Sequence, residues 1–370
     1  MTIQTIRLFL PPFVIAAIIS GGLTYSVKLL AEKFGWLDRL SPRKIHPKPI
    51  PRLGGVAFVI TFIFLCLGYN LITHRLDFTP FKVWLFDKHL LGVILGAAVL
   101  LIVGIIDDIK SIKPWKKLIW HFIAAFMVVA FGMSISYVRI PGGEHLNLDQ
   151  LVVPISILGK FNFHFVVWGD LLTILWIVLL INTLNFLDGL DGLAGGISII
   201  AGISIFLLSL SLGQNSAALL AIIFAGSVFG FLPWNFYPAK LFMGDSGSMF
   251  LGYMLAVLSV ISGGKMATAF LILGVPVLDV GWVILRRLFS GKSPFEADKL
   301  HLHHRFLTAG LTQRQAVIIL YLISTIFGIV AVSYGTQEKI QAVWWLLGLM
   351  AALVIILVIL EWRKRVAAHE

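Results

Sequence analysis

The chain has 370 residues, of which 59% are hydrophobic and 13% charged, with a formal net charge of +11 and a mean hydropathy of +0.95. That apolar share is well above the roughly 45 to 50% of a soluble domain. A soluble globule is excluded, because too few polar groups remain to cover its surface. The single cysteine, Cys66, rules out an intramolecular disulfide and any zinc site built from several cysteines.

In chain order, eleven apolar stretches are long enough to be candidate membrane helices, since a bilayer core about 30 Å thick needs about 20 helical residues. They run approximately 8–30, 54–72, 90–106, 118–137, 168–187, 193–212, 216–233, 247–262, 266–285, 315–333 and 341–361. The first is longer than a signal-peptide core and has no small-residue cleavage pattern, so it reads as a retained helix. No internal repeat is apparent. The predicted fold is an all-α, polytopic membrane protein with about eleven transmembrane helices, forming one domain over residues 1–370.

Basic residues orient this array. With eleven spans, the loops 31–53, 107–117, 188–192, 234–246 and 286–314 share one side with the C-terminal tail. Together they carry 20 of the 29 lysines and arginines. The positive-inside rule makes that side cytoplasmic, with the N-terminus outside. The tail WRKR, residues 362–365, reads as an anchor to anionic headgroups, and no nucleic-acid partner is expected.

All the chemistry falls on the same side. Asp107 and Asp108 in DDIKS follow the third span. Asp188 and Asp191 in NTLNFLDGLDGLAGG (182–196) follow the fifth, and Asp245 in FMGDSGS follows the seventh. HLHHR (301–305) and the basic stretch RKIHPKPIPRLGG (43–55) join them. Singly, each has a plainer reading: a solvated helix end for the Asp pair, turn chemistry for DGLDG, a topogenic loop for the basic stretch. The histidines could bind zinc, but no cysteine or fourth ligand lies nearby.

Carboxylates gathered at a membrane surface repel one another unless a cation offsets them. Magnesium, or manganese in its place, takes oxygen ligands and bridges one or two carboxylates to substrate phosphates. Lys44, Lys48, Arg52, Lys113, Lys116 and Lys117 are placed to hold the remaining phosphate charge. Together these features read as a diphosphate site at the cytoplasmic interface. A transporter would instead carry its ionisable residues near the bilayer midplane, often between inverted repeats. Asp279, inside the ninth span, is left open between a functional role and structural pairing. Pro276 is expected to kink that span.

DDIKS, NTLNFLDGLDGLAGG, WNFYPAKLFMGDSGS (234–248), GVPVLD (274–279) and HLHHR, in this order, resemble the polyprenyl-phosphate N-acetylhexosamine-1-phosphate transferases over nearly the whole chain. HLHHR looks like the WecA and TagO branch, which uses UDP-N-acetylglucosamine. The alternative is the same reaction with another UDP-N-acetylhexosamine, the MraY substrate included. The resemblance implies that undecaprenyl phosphate attacks the sugar-proximal phosphorus, releasing UMP at the bacterial cytoplasmic membrane, and that the enzyme is a homodimer.

The resemblance also implies residue roles. Asp245 is the principal magnesium ligand; Asp107 orients or deprotonates the lipid phosphate; Asp108 supports metal or base. Asn185, Asp188, Asp191 and Asn235 line the nucleotide pocket, with Phe242 stacked on uracil. His301, His303, His304 and Arg305 contact the diphosphate and sugar.

Overall fold

A computed structural model of the chain describes residues 3–38, 49–139, 144–157, 161–262, 266–289, 291 and 302–367. Thirteen helices occur among them. The first eight are α1 (Ile3–Phe34), α2 (Gly54–Thr73), α3 (Lys88–Lys110), α4 (Pro114–Ala130), α5 (Val167–Leu187), α6 (Leu193–Ser211), α7 (Asn215–Asn235) and α8 (Asp245–Ile261). They are followed by α9 (Met266–Ile272), α10 (Gly274–Phe289), α11 (Leu302–Ala309), α12 (Gln313–Ser333) and α13 (Thr336–Ala367).

Helix occupies most of each of the eleven expected stretches, the fourth ending at Ala130 rather than 137, but they are not equivalent. Among the described residues eight helices are long and apolar enough to cross a membrane, or nine if α9 and α10 form one broken span. The apolar α8 has only 17 residues, and α4, also of 17, opens with Lys116 and Lys117 in its first turns. The break between α9 and α10 bends the axis by 82° and falls at Leu273, three residues before Pro276. Proline lacks an N–H and its ring collides with the carbonyl four residues back, here that of Ile272. The helix therefore ends at Ile272, and Pro276 sits in the first turn of the next one, where it is tolerated.

Four two-stranded antiparallel ribbons depart from a purely helical fold. They pair β1 (Leu37–Asp38) with β2 (Ile50–Pro51), β3 (Lys82–Val83) with β4 (Phe86–Asp87), β5 (Tyr137–Arg139) with β6 (His145–Asn147), and β7 (Val152–Ile157) with β8 (Phe161–Val166). The last ribbon is built from VVPISI and FNFHFV, segments rich in β-branched and aromatic residues that suit a pleated surface.

Helix α8 is the axis of the bundle. From Met249 to Leu258 it is almost wholly buried. Lipid tails are as apolar as leucine, so helices in a membrane associate by close packing at small residues. Glycines supply that approach on three sides of α8. A Cβ on Gly55 of α2 would lie 2.1 Å from the Gly247 nitrogen, one on Gly104 of α3 would lie 2.3 Å from Ser246 Cα, and one on Gly252 would lie 2.2 Å from the Leu180 carbonyl of α5. Phe58, Phe62, Phe224 and Phe250 fill the adjoining space with ring centroids 5.4 to 6.5 Å apart.

Two glycines of α2 separate packing from helix propensity. Gly55→Ala must push α2 off α8, a backbone contact that cannot yield, and should cost about 1 to 3 kcal/mol. Gly68→Ala, with nothing within 4 Å of its new methyl, should leave stability equal or slightly higher. Thermal unfolding of the two purified variants in one detergent tests the contrast.

Candidate active site

The antiparallel run of helices brings the ends of α3, α5 and α7 and the starts of α2, α4, α6 and α8 to one end of the bundle. Adjacent residues on a helix point about 100° apart, and this separates the two aspartates that end α3. Asp107 faces the turn into α4. Ser111 adopts a left-handed φ of 46°, and the chain reverses so that the Ile112 N–H donates to Asp107 Oδ1. Pro114 opens α4 and sets Lys117 one turn in. The Lys117 Nζ lies 2.7 Å from Asp107 Oδ2 and 2.5 Å from Asp245 Oδ2. One ammonium thus bridges two carboxylates that are more than a hundred residues apart in sequence.

Asp108 faces α8 and caps it. Its Oδ1 accepts from the Asp245 N–H at 2.8 Å, and its Oδ2 accepts from the Ser246 N–H at 3.2 Å and the Ser246 hydroxyl at 2.8 Å. Free N–H groups at a helix start carry partial positive charge, so a carboxylate there is stabilised. The approach needs Gly244, whose φ is 73° and whose Cβ, if present, would sit 2.4 Å from Asp108 Oδ2. Both oxygens of Asp108 are spent holding the start of α8, one on Asp245 and the other on Ser246.

Asn185, near the end of α5, donates to Asp245 Oδ1 at 3.1 Å and to the Ser248 hydroxyl at 2.8 Å. Asp188 follows at the helix cap. Burial pushes its carboxyl well above the ordinary range, and Asp245, Asp108 and Asp191 push it further, while Arg52 opposes them. The remaining polar residues of the two loops tie them to each other. Asp191 Oδ2 accepts from the Ala239 N–H at 3.0 Å, and Asn235 accepts from the Gly192 N–H and donates to the Leu241 carbonyl. Asn235 is 2% exposed, so its amide braces the DGLDG loop from within.

The other expected residues divide. Arg52 pairs with Asp38 across β1 and β2. Phe242 is held by its backbone, its N–H donating to the Pro51 carbonyl at 2.8 Å and its carbonyl accepting from Gly54. Lys116 is exposed and lies over the Trp115 ring. His303, His304 and Arg305 are carried by α11, and Asp279 Oδ1 accepts from the N–H of Leu302 at the start of that helix. Asp279 therefore has a structural partner in the HLHHR segment. Lys44, Lys48 and His301 lie outside the described residues.

Several contributors were not singled out from sequence. Ser246 and Ser248 stand inside the quoted FMGDSGS, and a serine just after an aspartate at a helix start was the available signal. Tyr321 of α12, whose hydroxyl donates to the Gly192 carbonyl at 2.5 Å, had none. Among the described residues no group of three or more His, Cys, Asp or Glu side chains forms a metal cage by itself.

Asp188 yields a test with a definite sign. A carboxyl whose affinity for protons is raised by folding stabilises the protein at about pH 4 and below, and that contribution is lost as the pH climbs through the raised value. At neutral pH its charging costs stability. Asp188→Asn should thus raise the unfolding temperature in chelator above pH 7, by an amount that shrinks toward pH 4. Unfolding curves of both proteins across that range check it.

The chain resembles known proteins over most of its length. Residues 90–263 match the family described as glycosyl transferase family 4. A probable undecaprenyl-phosphate N-acetylglucosaminyl 1-phosphate transferase of Bacillus subtilis is 33% identical over 318 residues, which is 84% of this chain and 80% of that protein. A decaprenyl-phosphate N-acetylglucosaminephosphotransferase of Mycobacterium tuberculosis is 32% identical, covering 83% of this chain and 78% of its own. An undecaprenyl-phosphate alpha-N-acetylglucosaminyl 1-phosphate transferase of Thermotoga maritima is 29% identical, with 86% and 88% covered. With its acidic residues gathered at one end of a membrane bundle and relatives matched over most of their length, the chain belongs to glycosyl transferase family 4.

Proposed function

We infer that the protein transfers N-acetylglucosamine 1-phosphate from UDP-N-acetylglucosamine to undecaprenyl phosphate, giving a lipid-linked sugar diphosphate and UMP. The observation that carries this reading is the Asp107–Lys117–Asp245 bridge at one end of a bundle of apolar helices, in a chain whose relatives bear the names of such transferases. One substrate is a soluble anion and the other a membrane lipid, so they can meet only at a membrane interface. We place that interface on the cytoplasmic face of the bacterial membrane, because the loops at this end carry most of the basic residues. The assembly, by the family resemblance, is a homodimer.

An oxygen of the lipid phosphate attacks the sugar-proximal phosphorus, and the bond from that phosphorus to the UMP oxygen breaks. Positioning and charge neutralisation do most of the work in such a transfer. Asp107 orients the lipid phosphate. Most of that phosphate is already doubly ionised at pH 7, its second pKa being about 6, so little proton removal is required. Lys117, released from one of its two carboxylates, turns its charge toward the diphosphate. Asp108 holds the start of α8 in place, and Asn185 fixes the rotation of the Asp245 carboxylate. Arg305 and the histidines beside it on α11 grip the diphosphate and sugar.

The donor set suits a hard divalent cation. Asp245 and Asp107 offer oxygens to a point at which a positive group already sits, and the carboxylates around Asp188 leave negative charge to be offset. Magnesium characteristically keeps several waters and takes one or two carboxylates with substrate phosphates. A preformed protein cage is not required. Held chiefly by Asp245, it would supply Lewis-acid stabilisation of the charge on the diphosphate.

Purified protein incubated with magnesium, undecaprenyl phosphate and radiolabelled UDP-N-acetylglucosamine should give labelled lipid and UMP. Asp245→Asn should abolish turnover while the protein still inserts and folds. No labelled lipid from any UDP-N-acetylhexosamine, or near-normal turnover of Asp245→Asn at limiting magnesium, overturns the reading.

The two substrates should separate in kinetics. Arg305→Ala removes charge-assisted hydrogen bonds made alike in ground and transition states, so KM for the UDP-sugar should rise about tenfold to a hundredfold. Its kcat should fall less. Asp107→Asn should lower kcat strongly and leave UDP-sugar affinity nearly intact. Calorimetric titration with UDP-N-acetylglucosamine decides it: loss of nucleotide binding in Asp107→Asn with none in Arg305→Ala would reverse the assignment.

A further inference from the structure

A groove of about 480 Å³ opens on the outer surface of the bundle at the active-site end. Phe229, Leu232 and Pro233 lie at i, i+3 and i+4 of α7, a single helical stripe, and Phe236, the residue just past the helix end, continues the wall. Tyr237 and Lys240 close the mouth. Arg314, at the start of α12, stacks over the Tyr237 ring at 5.6 Å and donates to the Tyr237 carbonyl at 3.2 Å. Lys240 and Arg314 are both exposed, and among the described residues neither forms an ion pair.

This combination selects its occupant. The wall belongs to a membrane-spanning helix and is apolar, while the two cations stand just past the helix end beside a tyrosine. Trp234 and Tyr25, whose rings lie 5.9 Å apart, stand at the same level. Tyrosine and tryptophan gather where a bilayer meets water. A soluble nucleotide would satisfy the cations and leave the apolar wall uncovered. A neutral lipid would do the reverse. An anionic phospholipid covers both.

The acceptor lipid does not suit this groove. Its phosphate must reach Asp107 and Asp245, whereas the groove stripe is turned roughly 120° around α7 from the inward face that bears Phe231 and Asn235. Between groove and site runs the loop whose Ala239 N–H is held by Asp191, with Lys240 next in sequence.

We propose that this groove is a binding site for an anionic phospholipid, with the headgroup phosphate between Lys240 and Arg314 and an acyl chain along Phe229, Leu232 and Pro233. The occupant then braces, from outside, the loop that Asp191 and Asn235 brace from inside and that leads to Asp245. The choice of an anionic lipid rests on surface chemistry, and only the exclusion of the acceptor lipid rests on the proposed function.

The test uses full-length protein in nanodiscs of phosphatidylcholine doped with phosphatidylglycerol, with retained lipid counted by native mass spectrometry after gentle release. Wild type should retain phosphatidylglycerol over phosphatidylcholine. Lys240→Gln with Arg314→Gln should lower that preference about tenfold to thirtyfold, on the usual worth of a basic residue at an anionic surface. Lys240→Arg with Arg314→Lys, which keeps both charges, should restore it and controls for folding. Equal retention of both lipids by wild type, or unchanged preference in the glutamine variant, overturns the proposal. So does a glutamine variant that loses only added undecaprenyl phosphate, which would assign the groove to the acceptor.

Discussion

Everything at the active-site end depends on one electrostatic constraint: carboxylates from α3 and α8 stand together where the membrane bundle ends. Like charges so placed repel, and two devices answer that repulsion. Lys117 bridges Asp107 and Asp245, and the start of α8 takes up the charge of Asp108 through two N–H groups and a hydroxyl. The second device also fixes the first, because the N–H that Asp108 holds is that of Asp245. Adjacent residues with the same side chain therefore do different things, one paired with Lys117 and the turn into α4, the other holding the start of α8.

That division places unusual demands on packing. Asp245 is only as well positioned as the helix it begins, and α8 is held by close glycine contacts with α2, α3 and α5 as well as by the packed rings around Phe250. Backbone against backbone has no rotamers to relax into, so the site inherits the rigidity of the bundle. On the other side of Asp245 the chain is pinned by backbone hydrogen bonds from Phe242 and Met243 to Pro51, Gly54 and Gly55. The metal-bearing aspartate of the proposed mechanism thus sits between two segments of fixed backbone. The ammonium of Lys117 reaches both carboxylates on an unbranched stem.

Much of this was legible in the sequence, and the physical reason is that membranes simplify the reading. Hydropathy marks every long span, and charge asymmetry brings all five motif carboxylates to one side. What hydropathy could not tell was which aspartate points where. Asp107 and Asp108 are indistinguishable in a string, and their separation emerges only from helical phase and from α8 lying against α3. Asn235 and Asp191 are pocket residues by the family resemblance, and hydrogen bonds from both run to loop backbone. A polar side chain at a loop is as useful for satisfying buried N–H and carbonyl groups as for meeting a ligand. The break at Leu273 was foreseen as a kink at Pro276, because the sequence shows the proline but not how far its clash propagates.

Asp279 shows how structural and functional readings converge. A carboxylate within an apolar span demands a reason, and its bond to the Leu302 N–H supplies one. That bond fixes the origin of α11, the helix bearing His303, His304 and Arg305. Asp108 does the same for α8 and Asp245. In both cases a carboxylate of one helix holds the first N–H groups of another that carries motif residues. Such a pairing suits a membrane enzyme in particular. Helix N-termini near a bilayer cannot rely on water for their free N–H groups, so a carboxylate that satisfies them is stabilised in turn. The same capping sets where the next residues project, and in this fold the satisfaction of buried backbone and the aiming of the active site are one interaction.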